Sequence, residues 1–214
     1  MEITLTIVEA RVLGALIEKE LATPEYYPMT LNSLCAACNQ KSSRNPVMNL
    51  METEILRALE TLRSKHLVWE RHVAGSRVLK HEHNATGLWS LSQDELAVLC
   101  ILLLRGPQTS GEIRSRTGRL FRFATTDAVE ATINALNHQT TGPFVIRLPV
   151  APGTKEARFA HLLCGEPDVE ELQQQIKQQA PVIEVQAENE RITELESRVA
   201  ALEKRVDDLI KQFE

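Results

Sequence analysis

A chain of 214 residues, 43% hydrophobic and 25% charged, can bury two small cores or one larger one, which excludes a wholly disordered protein. No apolar run of about 18 residues occurs and acids stand where a secretory signal would be basic, so a cytoplasmic protein with no membrane partner is expected. The net charge of −5 is uneven: residues 1–164 hold 18 Lys+Arg against 16 Asp+Glu, and residues 165–214 hold 6 against 13, so a nearly neutral body can still carry a basic face.

The first predicted helix is "LTIVEARVLGALIEK" from Leu5, where Thr6 and Glu9 have the spacing of a capping box, each side chain satisfying the other's orphan backbone donor. Tyr26 and Tyr27 follow in "TPEYYP", a Pro-bounded loop expected to close over the core. A second, short helix follows Thr30. On it Cys35 and Cys38 have the spacing of half a zinc site, with His81 and His83 as an imaginable other half. Leu31, Leu34, Cys35 and Cys38 also fit one apolar stripe and no second CxxC exists, so buried, reduced thiols and no metal are expected.

Next comes "CNQKSSRNPVM", a loop with Lys41 and Arg44, and then a third helix with Ile55, Leu59 and Leu62 on one face, opened by Asn49 with Glu52. The period then changes from helical to extended. "LVWER" (67–71) and "RVLKHE" (77–82) flank a turn at Gly75.

The series then repeats. "LSQDELAVLCILLLR" from Leu91 superimposes on the first helix at an offset of 86, with Ser92 and Glu95 in the capping positions and Val98, Leu99 and Leu102 matching Val12, Leu13 and Leu16. "PQTSGEI" matches "PMTLNSL". A basic connection, "RSRTGRLFRFATT", leads to a helix with Val129, Ile133 and Leu136, opened by Asp127 with Glu130. "FVIRLPV" (144–150) and "RFAHLLC" (158–164) end the second copy. Three helices and a hairpin, twice, is the element order of a winged helix. The expected fold class is mainly α with small β-hairpins (α+β): winged-helix domains at 1–87 and 88–166, a linker at 167–183 and a coiled-coil helix at 184–214.

The stretches "TPEYYPMTLNSLCAACNQKSSRNPVM", "LLLRGPQTSGEIRSRTGRLF" and "GSRVLKHEHN" resemble the YceH family of uncharacterised bacterial proteins, over residues 1 to about 164. The resemblance implies a tandem winged-helix body. It implies no activity or substrate.

Lys and Arg in a helix-turn-helix connection and its hairpin can neutralise phosphates. The candidates for contact with double-stranded DNA are Lys41, Arg44, Arg77 and Lys80 in the first copy and Arg114, Arg116, Arg119, Arg122 and Lys155 in the second. Glu52, Glu54 and Glu60 on one third helix, and Asp127 and Glu130 on the other, oppose them. Two expectations therefore stand side by side: a DNA-binding protein acting in transcriptional control, and a protein-docking scaffold without DNA contact. GxGxxG, Walker, GxSxG and HExxH motifs are absent, so no catalytic residue and no cofactor are expected.

After Gly165 the composition turns to Glu, Gln and Lys, and Pro181 breaks any helix begun near Asp168. Ile192, Val199 and Val206 then alternate with Leu195, Leu202 and Leu209 as a and d positions of a heptad. Arg191, Arg198 and Arg205 at g and Glu196 and Glu203 at e favour a parallel homodimer, the alternative being a single amphipathic helix.

Overall fold

The computed structural model describes residues 3–72, 78–150 and 156–168. The heptad positions Ile192, Leu195, Val199, Leu202, Val206 and Leu209, the coil, and the linker beyond Asp168 lie outside the described residues. Residues Met1–Pro167 form one compact unit.

Helix α1 (Ile7–Ala22) starts at the expected box: Thr6 Oγ1 accepts the Glu9 N–H at 3.2 Å and Glu9 Oε2 accepts the Thr6 N–H at 2.9 Å. A short 3-10 turn leads to β1 (Met29–Thr30), and Thr30 caps α2 (Leu31–Cys38). Helix α3 (Glu52–Ser64) is followed by strands β2 (Val68–Arg71) and β3 (Lys80–His83), which form an antiparallel sheet in the order β1-β3-β2. A short helix, α4 (Ala85–Trp89), leads into the second half and sets Trp89 against Phe144, with ring centroids 5.1 Å apart and ring planes tilted by 58°.

The second half repeats the order with α5 (Gln93–Arg105), α6 (Ser110–Arg116), α7 (Thr126–His138), β4 (Val145–Arg147) and β5 (Phe159–His161). A single bridge between Gln108 and Phe159 stands where β1 pairs with β3 in the first half. The described residues thus form an α+β fold with seven α-helices and two small antiparallel sheets.

Helices α1 and α5 pack on each other, which explains why each is apolar nearly all round: Glu9 to Ile17 and Glu95 to Leu104 are buried. Cys100 Sγ lies 3.5 Å from Gly14 O, and these residues are equivalents under the offset of 86. Contact between equivalent residues is what a two-fold relation between halves produces at its axis. Gly14 allows this close approach, since a Cβ would sit 3.0 Å from Leu104 and 3.1 Å from Leu103, and those side chains would have to give by a few tenths of an ångström. The capping acids are buried in parallel, Glu9 meeting Lys65 Nζ at 2.7 Å and Glu95 meeting Gln139 Nε2 at 2.9 Å. Leu16, Leu34, Leu59, Leu102, Ile113 and Ile133 are all buried.

Both third helices begin elsewhere than their sequence signals suggest. The N-cap of α3 is Met51, in extended backbone, whose N–H donates to Glu54 Oε2 at 2.7 Å; Asn39 engages both backbone groups of Leu50 just before it (2.7 and 2.9 Å), which sets the start past Asn49. The N-cap of α7 is Thr125, which accepts from the Ala128 N–H and leaves Asp127 in the first turn.

Candidate functional site

The connection from α2 to α3, residues 39–51, is held from within. Arg11 on α1 is buried and donates to Cys38 O at 3.1 Å and Pro46 O at 2.6 Å. Arg44 turns inward to meet Glu18 with both Nη atoms, at 3.0 and 2.6 Å, and also donates to Ala37 O and Ser43 O. Burial pushes the Glu18 carboxyl upward, but the Arg44 hydrogen bonds and charge outweigh this and hold it below the ordinary carboxylate range. Arg44 is therefore a correction to the candidate surface. Its side chain is 0% exposed and its donors are engaged inside, so it does not face a phosphate backbone. Lys41, three residues earlier, is exposed.

The connection from α6 to α7, residues 117–125, is held differently. Leu120 and Phe123 are buried, and Phe121 packs edge-on against Phe123 at 4.8 Å. Thr117 Oγ1 donates to Ile113 O, and Arg114 reaches across the connection to Ala124 O at 2.7 Å. Arg119 and Arg122 are exposed, while Arg116 is half-buried near Glu112, which a second arginine, Arg158, engages at 2.6 Å.

The two connections meet at one cleft of about 540 Å³. Lys41 from the first and Arg116 and Arg119 from the second half line it, joined by Lys19 at the end of α1 and Arg105 at the end of α5. Sequence reading missed Lys19 and Arg105; the available signal was that each is the basic last-turn residue of an apolar helix. Arg114 and Arg122 are not among the lining residues. Lys80 is half-buried in β3, opposite Thr30 and Arg71. Arg77 and Lys155 lie outside the described residues.

The outward faces of the third helices are not basic. On α3 the exposed residues include Glu52, Leu56, Arg57 and Glu60; on α7 they include Asp127, Glu130, Ala131 and Asn134. On the first hairpin Trp69 is 45% exposed and carries the Arg71 guanidinium 5.4 Å from its ring centroid.

The four cysteines are free thiols. Leu34 and Cys38 lie inside, with Leu31 and Cys35 packed at the edge of the core, and burial pushes the Cys38 thiol up to about 12. His83 instead meets Glu20 through Nε2 at 2.6 Å, while its backbone N–H donates to the Tyr27 hydroxyl at 2.6 Å. Tyr27 thus closes on the core, whereas Tyr26 is 74% exposed. Among the described residues no three His, Cys, Asp or Glu side chains are grouped to hold a metal ion, and no helix is long and apolar enough to cross a membrane.

A family model described as "Protein of unknown function, DUF480" matches residues 5–154. The UPF0502 protein GSU0233 of Geobacter sulfurreducens is 53% identical over 202 residues, covering 94% of this chain and 91% of its own length. The UPF0502 protein VF_A0604 of Aliivibrio fischeri is 47% identical over 209 residues, covering 95% and 93%. The UPF0502 protein VVA1225 of Vibrio vulnificus is 43% identical over 213 residues, covering 98% and 96%.

Proposed function

The chain belongs to the DUF480 family, the UPF0502 proteins that include YceH, and since that family is described as of unknown function we propose a role from the geometry: a tandem winged-helix protein that binds the backbone of double-stranded DNA without catalysis. The carrying observation is that Lys41 of the first connection and Arg119 of the second, with Arg116 at the end of α6, line one cleft, so the two halves present a joint basic surface. Exposed Arg122 extends it. Acids on the outward faces of α3 and α7 oppose base reading by those helices, so the binding is expected to depend weakly on sequence and strongly on salt. Transcriptional control, cytoplasmic location and a parallel dimer through the C-terminal heptads belong to the same reading. Two bodies joined in a dimer would gain avidity from modest individual affinities.

The test is retention of the full chain on a nonspecific duplex over a salt series. Lys41→Ala with Arg119→Ala and Arg122→Ala should weaken binding uniformly across sequences and flatten the salt slope by nearly one unit per lost contact. Wild-type protein that passes through a duplex column at low salt would end this reading.

A second reading, a protein-docking scaffold, draws on a separate observation. Val47 is 50% exposed, Met51 65% and Leu56 38%, so the approach to α3 and its outward side offer apolar surface where base contacts would otherwise arise. Loss of a protein partner when Met51 and Leu56 are substituted by Ser, in a protein whose wild type passes through a duplex column at low salt, would favour this second reading.

A further inference from the structure

We propose that the cleft between the two connections binds a small phosphorylated organic anion. The proposal goes beyond duplex binding and does not depend on it. A volume of about 540 Å³ lies within the range of roughly 300 to 1,000 Å³ usual for small-molecule sites. A duplex is convex and meets such a recess at its rim, whereas a small molecule can fill it.

Charge decides the sign of the ligand. Lys19, Lys41, Arg105, Arg116 and Arg119 line the cleft against one lining acid, Glu18, which Arg44 neutralises from behind at 2.6 Å, while Glu112, not itself a lining residue, lies 4.0 Å from Arg116. Lys19 itself lies 3.6 Å from Glu18. Three helices end here, and their terminal carbonyls would favour a cation if left exposed. Several are occupied: Lys19 O accepts from the Thr23 N–H, Leu104 O from the Asn45 N–H and Ile113 O from the Thr117 N–H. Even with Glu112 counted, the cations around the cleft outnumber the acids.

Neutral groups refine this. Ser43 lines the cleft in left-handed backbone, with φ of 59°, a conformation uncommon for a serine. Arg44 fixes it through Ser43 O at 2.9 Å, and Arg105 Nη2 donates to Ser43 Oγ at 2.7 Å, which leaves the hydroxyl proton as a donor. Ile101, Leu104 and Leu120 supply an apolar wall. Phosphate suits the cations and the serine, and the wall suits a body with an apolar or aromatic face, so a nucleoside monophosphate has the matching chemistry.

Titration calorimetry of the full chain at low salt, with AMP, inorganic phosphate and adenosine as probes, tests the proposal. AMP should bind saturably, one per chain, at least tenfold more tightly than inorganic phosphate, and adenosine should not bind. Lys41→Ala with Arg119→Ala, both exposed and therefore compatible with folding, should weaken AMP at least tenfold, and Arg147→Ala on β4 should leave it unchanged. A urea midpoint equal to wild type confirms that the double variant is folded; Lys41→Glu alone supplies a second variant with the same expected direction. No saturable AMP binding, equal binding by the double variant, or adenosine binding as tightly as AMP would each overturn the proposal. Duplex retention measured on the same proteins keeps the two ideas apart, since AMP binding without duplex binding removes only the DNA reading.

Discussion

Residues 39–51 and 117–125 make the same connection in the two halves, yet the first is held by buried charge and the second by aromatic rings. Arg11 and Arg44 satisfy Pro46 O and Ser43 O of the first, and the carbonyls of Ala37 and Cys38 that lead into it, from inside, with Glu18 as counter-ion. Leu120, Phe121 and Phe123 pack the second, and its arginines remain largely outside. The repeat keeps what the helices need, such as the boxes at Thr6 and Ser92, and lets the loops find separate solutions. A basic residue in one connection is thus no guide to the role of its counterpart.

Arg44→Ala should have the largest effect on this contrast. It strands Glu18 and three carbonyl contacts, and loss of one partner from a buried pair costs about 3 to 5 kcal/mol, measurable by urea unfolding. Arg44→Lys should recover little of it, because a lysine cannot make the two-pronged contact. The same pair gives a pH signature. Glu18 is held below its unfolded value, so its contribution is present above about pH 4.3 and is lost as pH falls through its folded value; Arg44→Ala should remove that acid dependence.

Leu59→Ala on α3 and Ile133→Ala on α7 should each cost about 2 to 5 kcal/mol, since both are buried equivalents beneath the connections. Similar values from thermal or urea unfolding would mean that the halves differ in their loops and not in their cores. A loss confined to one of them would break the equivalence.

Histidines at one ladder position sharpen the comparison further. His83 lies opposite Val68 and meets Glu20, whereas His161 lies opposite Val145 with Nδ1 buried and unpartnered, and burial pushes its pKa down to about 4. The folded state therefore resists a proton that the unfolded chain accepts. Stability should fall as pH drops from about 6.5 toward 4, and His161→Gln should flatten that part of the profile.

The smallest effect is expected at Gly14. Its Cβ in Gly14→Ala would press on Leu104 and Leu103, and overpacking of about 1 to 3 kcal/mol is opposed by about 1 kcal/mol of helix propensity. A net loss of roughly 1 kcal/mol in urea unfolding follows from these two magnitudes. A gain would mean that α1 and α5 can separate slightly at little cost.

Much of the fold was legible because its signals are local. Capping spacings and apolar periods marked the first helix of each half, and Thr109 with Glu112 repeats the same box on α6. Signals failed where several polar residues competed: Asn49 looked like a cap, but Asn39, ten residues earlier, fixes the backbone beside it. The α4 helix carried no cap bond to announce it. Arg44 could not be told from a solvent-facing arginine, since its partner Glu18 is 26 residues away. The cleft was illegible for a similar reason, as Lys41 and Arg119 share it only after α1 has found α5.

The contact between Gly14 and Cys100 also orders events in time. Helix α1 is made first, but the surface it is shaped for lies 86 residues later in the chain. At synthesis rates of about 5 to 20 residues per second, that partner arrives several seconds afterwards. Through this interval Val12, Leu13 and Leu16 have only their own half to pack on. The first half must therefore either wait with apolar surface exposed or be sheltered by the cell until the second emerges, and the seam that unites the finished protein is its most vulnerable surface while it is being made.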